Sequence, residues 1–440
     1  MNRQTLVFTA GAVALGLAGT AHGQTATYIP AQPSSAAMAK PAIPELIPPP
    51  PQPIPVLRGL SQANGAAEAQ EGSSDEQWAM SETLRFGDPQ AAKDPASALT
   101  WLRLAARHGN RAAMVNLAFL YRQKNDAPAP EADEPDWLQT AADEGWGEAQ
   151  DDLGRMYAEG DGRPQDLVEA LKWFDLAASA TDGELLGASS ADNGYAVAGV
   201  MTPAQIIEAK KRADQWTRTA PSDDQIADQG WTSLRRHYYD QAISLLTPVA
   251  TAGFARAQFY LGMTYRQRKD PAHSGDAASW FRKAAEQDQP GAEHMMAVLL
   301  TAGDGVPQDL PAAVEWDRKA AAHGLSLAED DLGMMYSQHL GVAEDDAIAL
   351  DWLSKAAAQG MGRAQYLLGN FYTFGTAVPK DIVEAYKWKT LAVAYTSTGS
   401  TYQREAKSDL DWMAKSMTQA QIDQATAEAK AWHPVFEVPR

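Results

Sequence analysis

Residues 149–178 read AQDDLGRMYAEGDGRPQDLVEALKWFDLAA, and the fold follows from this stretch. Ala149, Leu153, Met156 and Tyr157 recur at i, i+4, i+7 and i+8, which puts them on one stripe of a short helix. Gly160 ends that helix, and Gly162 and Pro164 fill the loop beyond it, one tolerating positive φ and the other forcing its predecessor out of helical geometry. Asp166 opens a second helix as an N-cap, and Glu169 three residues on completes the spacing of a capping box. Ala170, Trp173, Phe174, Ala177 and Ala178 lie on one side of this second helix. Two helices of about three turns cannot bury both stripes against each other alone, so the unit requires neighbours of its own kind.

Those neighbours are present. Trp101, Trp137 and Trp173 are 36 residues apart, as are Trp280, Trp316, Trp352 and Trp388, while Ala257, Ala292, Ala328 and Ala364 follow at intervals of 35 or 36. An opening unit with Met80, Leu84, Phe86 and Gly87 precedes the first set, and one with Leu245 at the tryptophan position precedes the second. Both sets also close alike. DLVEALKWFDLA (166–177) matches DIVEAYKWKTLA (381–392), and MTPAQIIEAKKRADQW (201–216) matches MTQAQIDQATAEAKAW (417–432), with Thr202/Gln205 and Thr418/Gln421 at capping-box spacing. Between Ala178 and Met201 the period is interrupted by a Gly- and Ser-containing segment. The chain is therefore all-α, with one array over residues 74–220 and a related one over residues 222–436, each closed by a helix that presents a polar outer face.

The pattern A-x-x-x-L-G-x-x-Y, G-x-G-x-P-x-D, A-x-x-W is carried by Ala149, Leu153, Gly154, Tyr157, Gly160, Asp166, Ala170 and Trp173. It recurs at Ala257, Leu261, Gly262, Tyr265 and Trp280, at Ala328, Leu332, Gly333, Tyr336 and Trp352, and at Ala364, Leu368, Gly369, Tyr372 and Trp388, with a divergent copy from Ala292 to Trp316. It resembles the Sel-one-like repeat, a relative of the tetratricopeptide repeat. The resemblance implies a superhelix (solenoid) of helix pairs with a concave face that serves as a scaffold for other proteins. In bacteria it implies export and a connection with envelope processes, exopolysaccharide control or signalling. A cysteine-rich branch linked to penicillin binding is not matched, because this chain has no cysteine.

At 440 residues the chain is long enough for two or three domains. The absence of cysteine excludes a disulfide framework, a thiolate metal site, a cysteine nucleophile and a lipoprotein anchor. The net charge of −19 sits entirely on the helical regions, with 25 acids and 14 bases in residues 75–220 and 28 and 20 in residues 222–440. Such a surface repels phosphate backbones and anionic headgroups, so neither nucleic acid nor a membrane surface is an expected partner. Residues 1–23 have the form of a cleavable signal peptide: Arg3, an apolar run from Leu6 to Ala18, and small residues at Ala21 and Gly23. The run is short against the roughly 20 residues of a membrane span, with an uncleaved anchor as the alternative. Residues 24–73, rich in Pro, Ala, Gln and Ser, read as an extended disordered linker. The body of the protein is thus expected in the periplasm or outside the cell.

The mid-helix glycines Gly154, Gly262, Gly333 and Gly369 each cost up to about 1 kcal/mol relative to alanine, which suggests close approach of the paired helix and its tryptophan. The repeat tryptophans read as core rather than as a carbohydrate-stacking ladder. His108 and His323, each just before a glycine, would as cationic rings suit the negative end of a helix and help terminate it. His273, His294 and His339 share no ligand spacing, and the acid pairs Asp151-Asp152 and Asp330-Asp331 read as solvated faces. No G-x-S-x-G, S-x-x-K or Walker-type loop occurs. No catalytic, cofactor-binding or metal-binding residue is assigned and no cofactor is expected. The functional expectation is an exported, non-enzymatic scaffold for a protein or peptide partner, with a peptidoglycan- or exopolysaccharide-associated protein as the alternative.

Overall fold

The computed structural model describes residues 69–86, 94–121, 130–131, 134–180, 184–268 and 274–435. The signal peptide, most of the linker, Gly87, most of the acidic stretch of residues 126–136, and His273 lie outside the described residues. All regular structure among the described residues is helical. In the first array helices α1 (Ser74–Phe86), α2 (Pro95–Arg107), α3 (Arg111–Tyr121), α4 (Trp137–Asp143), α5 (Gly147–Glu159) and α6 (Leu167–Ser179) pack each on the next. α7 (Glu184–Ala198) and α8 (Pro203–Gln215) both pack on α6 and close the array. The second array repeats the scheme: α9 (Asp223–Arg235), α10 (Tyr239–Thr251), α11 (Ala255–Arg268), α12 (Ser274–Ala285), α13 (Pro290–Ala302), α14 (Leu310–Ala322), α15 (Ser326–Ser337), α16 (Asp346–Ala358), α17 (Gly362–Phe374) and α18 (Ile382–Tyr395), closed by α19 (Thr401–Met413) and α20 (Gln419–Ala431).

Helix ends follow the sequence. Gly160 caps α5 with φ 70°, a left-handed conformation costly for a residue with a Cβ. Asp166, Asp309, Asp345 and Asp381 cap the trailing helices of their pairs by accepting backbone N–H groups. Both closing helices carry complete capping boxes at Thr202/Gln205 and Thr418/Gln421. Glu169 departs from expectation. Its carboxylate accepts from Lys172 Nζ at 2.8 Å and Arg212 Nη1 at 2.7 Å, tying α8 to α6 instead of returning to the Asp166 backbone. The two closures share one more device: Trp216 meets Trp173 edge-on at 6.5 Å, and Trp432 meets Trp388 edge-on at 6.1 Å.

The interior is arranged differently from the tryptophan-filled core read in the sequence. Trp101, Trp137 and Trp173 are buried, but Trp280, Trp316, Trp352 and Trp388 are half-buried, packed on the core by one side. Lys283, Lys319 and Lys355 lie over three of those rings at 4.0, 4.1 and 4.1 Å, so these ring faces are covered rather than open for sugar stacking. The residue after each tryptophan is the one that fills the interior: Phe174, Phe281, Asp317, Leu353 and Lys389 are all at most 1% exposed. It is also the residue for which the helix glycines make room. A Cβ on Gly154 would come within 2.7 Å of Phe174, one on Gly262 within 2.7 Å of Phe281, and one on Gly333 within 2.6 Å of Leu353. The close approach is as expected, and its beneficiary is the neighbour of the tryptophan.

One further expectation gains detail and one is corrected. The interruption after Ala178 is the helix α7, whose small Gly187 lets its backbone approach the Ala178 carbonyl, where a Cβ would lie 3.1 Å away. Ser190 of that helix donates to Asp151 at 2.7 Å. The linker ends earlier than residue 73, because Ala69 and Ser73 are buried and Ala69 packs with Met80, Leu84, Ala98 and Trp101.

Candidate protein-binding face

In the second array the N-terminal halves of the leading helices α11, α13, α15 and α17 each carry polar groups bonded to a neighbouring helix. On α11, Arg256 bonds Asp224 at 3.0 Å and Asp228 at 2.6 Å, with its guanidinium 5.4 Å from the Tyr260 ring. On α13, His294 Nδ1 lies 2.9 Å from Asp317 Oδ1. Burial opposes charge on this imidazole, but the Asp317 bond and the charges of Asp317, Asp331 and Glu71 outweigh it and raise His294 to about 9. On α15 and α17, Asp330 and Asp331 both accept from Arg363, the former at 2.7 Å. The reading of Asp330-Asp331 as a solvated pair is therefore corrected. Asp330 is 1% exposed and lies beneath the next repeat's arginine. Asp151 of the first array is likewise fully buried, taken by Arg155 and Ser190.

A segment of the chain itself lies across this face, crossing the repeats in reverse order. Gln70 donates to the Gly324 carbonyl and to Gln359 Oε1, each at 3.1 Å, and accepts from Ser326 Oγ at 3.2 Å. Glu71 comes next, near the charge of His294, with one carboxylate oxygen buried and without a hydrogen-bond partner. Burial pushes Glu71 up to about 7 against the opposing effect of His294. The Gly72 carbonyl accepts from Tyr260 Oη at 2.9 Å and from Arg256 at 3.4 Å. Ser74 donates to Asp228 of α9 from both its backbone and its hydroxyl, and Glu76 accepts from Trp231 Nε1 at 3.2 Å.

Beside this segment is a cavity of about 520 Å³ with Glu71, Leu104, His108, Phe254, Arg256 and Pro290 in its wall. His108 bonds Gln77 at 2.7 Å, and burial holds its imidazole well below the usual range. It caps α2 as a neutral ring, which corrects its expected cationic role; His323 caps α14 at the equivalent place. Neither the buried Glu71, Glu293 and Glu329 nor the docked segment was singled out in the sequence. The one available signal was periodic: Glu329 and Glu293 stand where Gln150, Gln258 and Gln365 stand in other repeats.

Among the described residues, no helix is long and apolar enough to cross a membrane. The Sel1 repeat family matches residues 77–110, 147–182, 255–289, 290–325, 326–361 and 362–392. No curated protein matches the sequence. Among solved structures, the chain is similar to a Sel1 repeat protein from Oxalobacter formigenes, with 25% identity over 83% of this chain and 98% of that one and a TM-score of 0.41. It is also similar to a protective antigen of uropathogenic Escherichia coli that displays an SLR fold, with 25% identity over 85% of this chain and 94% of that one and a TM-score of 0.33. Sel1 repeat proteins generally mediate protein–protein interactions on a fold that is generally non-catalytic. With its helix pairs, its 36-residue period and six matched units, this chain is a member of the Sel1 repeat family.

Proposed function

We propose that the protein is an exported, non-enzymatic scaffold of the bacterial cell envelope, and that the leading-helix face of its second array grips a segment of a partner protein. The observation that supports this reading is the seating of the chain's own residues 70–76 on that face, where Gln70 is held by Gly324, Ser326 and Gln359, the Gly72 carbonyl by Tyr260 and Arg256, and Ser74 and Glu76 by α9. The same groups, Tyr260, Arg256 and Gln359, suit a partner segment that offers one exposed main-chain carbonyl in a break between two helical turns, with an amide side chain just before it. Export rests on the form of residues 1–23.

Site-specific photocrosslinking in intact cells tests the proposal. A photoreactive residue replacing Phe254, in the cavity wall, should capture a defined envelope protein, and one replacing Lys355, over the outer Trp352 ring, should not. Identical capture from both positions, or from neither, would refute it. A cytoplasmic location on cell fractionation would refute export separately.

A further inference from the structure

We propose a divalent-cation site at the repeat of residues 290–325, formed by Asp288 in the turn just ahead of it and by Glu293 and His323 within it. One donor atom from each of these residues lies within 4.8 Å of the others. The internal repeats supply the comparison that makes this trio unusual. Ahead of the other leading helices the turn carries glycine with positive φ, at Gly109, Gly145, Gly253, Gly324 and Gly360; here the same turn carries Asp288 at φ 58°. A side chain in that backbone region is strained, and here it delivers a carboxylate.

One position into α13 beyond Ala292, the equivalents Gln150, Gln258 and Gln365 donate to the carbonyl eight residues earlier at 3.0, 2.9 and 3.2 Å. Glu293 replaces that donor with an acceptor. Its side chain is fully buried, and neither oxygen has a hydrogen-bond partner. At the end of the trailing helix, Gln287 and Gln359 reach the Gln or Glu of their own repeat at 2.7 and 2.9 Å. The corresponding His323 Nε2 stands 3.8 Å from Glu293 Oε2, beyond hydrogen-bond range. That gap is shorter than two metal–ligand bonds end to end, about 4.2 Å for zinc.

Three ligand-bearing positions thus converge: Asp288 where the other turns carry glycine, Glu293 where three other repeats carry glutamine, and His323 where two carry glutamine. Two carboxylates and an imidazole suit zinc or a neighbouring first-row ion over magnesium or calcium, which favour all-oxygen sets. A bound ion would join the turn before α13 to the end of α14 and close one repeat on itself. None of the three ligands has a partner histidine at local spacing, so only the fold assembles the set.

The test is calorimetric titration of the full chain with zinc chloride, repeated with calcium chloride, alongside thermal melts. Glu293→Gln and Asp288→Gly return two positions to the residues the other repeats use, so both variants should fold. Wild type should bind one zinc ion saturably at micromolar concentration with a raised melting midpoint, and calcium should bind more weakly. Each variant should lose at least about tenfold in zinc affinity, the scale seen when even an outer-shell partner of a metal is removed. Unchanged zinc isotherms in both folded variants would overturn the proposal, and so would wild type with no saturable site below about 1 mM.

Discussion

Replacing Gly262 with alanine isolates the contact that sets the spacing within each helix pair. The new Cβ would lie 2.7 Å from Cδ1 and Cε1 of Phe281, well inside contact distance, and the obstacle is a ring rather than the end of a flexible chain. Phe281 is fully buried and its ring centroid is 6.0 Å from that of Phe259, so it cannot swing aside. Overpacking of this kind costs about 1–3 kcal/mol. Alanine recovers up to about 1 kcal/mol over glycine in a helix interior. The net expectation is a destabilisation of up to about 2 kcal/mol, read as a lower urea midpoint with an unchanged slope. Phe281→Leu provides the partner for a double-mutant cycle, since shortening the ring frees the space the methyl needs. The double variant should be less destabilised than the two singles combined by at least about 0.5 kcal/mol. A Gly262→Ala chain with a raised midpoint, or a strictly additive pair, would show that the glycine serves something other than this approach.

Three further outcomes can be checked. Lys389 is buried at 1% exposure with its ammonium 2.6 Å from both Asn370 and Asp409. Lys389→Met should be within about 1 kcal/mol of wild type or more stable, and Asp409→Asn should cost more because it strands the charge; urea melts of both variants decide the order. His294, raised to about 9, contributes stability that is complete below its unfolded value near 6.5 and is lost as pH rises through 9. Thermal midpoints should therefore fall between pH 6.5 and 9.5, and that fall should flatten in His294→Gln. Glu71 is raised in the opposite chemical sense: its neutral form is favoured on the array, so docking is firmest below about 4.5 and weakens as pH rises through about 7. Hydrogen-exchange protection factors for residues 70–73 should be larger at pH 5 than at pH 8.5, and equal values would discount Glu71.

The architecture was legible because it is written in intervals. Period, caps and closing helices depend on local residue choice, so Asp166, Thr202 and Thr418 appear where the sequence puts them. What one element does to another was harder to read. Asp151 and Asp330 carry no local mark of burial; Ser190 and Arg363, 39 and 33 residues away, supply it. Trp352 has the same neighbours in sequence as a core tryptophan, yet the helical position beside it, Leu353, points inward. α7 was missed because its apolar residues form no stripe and its glycines and serines resemble a loop. Gln70 was missed because composition alone cannot tell the last residues of a spacer from the first residues of a contact.

The polar face of the second array advances by one helix pair at a time, with Arg256, His294, Asp330 and Arg363 each on a separate leading helix. Lengthening such a surface requires no redesign of its interior, only the gain of another 36-residue module between existing ones. A gene duplication within the array would add one more station to a molecular ruler, and relatives with different module numbers would be suited to targets of correspondingly different reach.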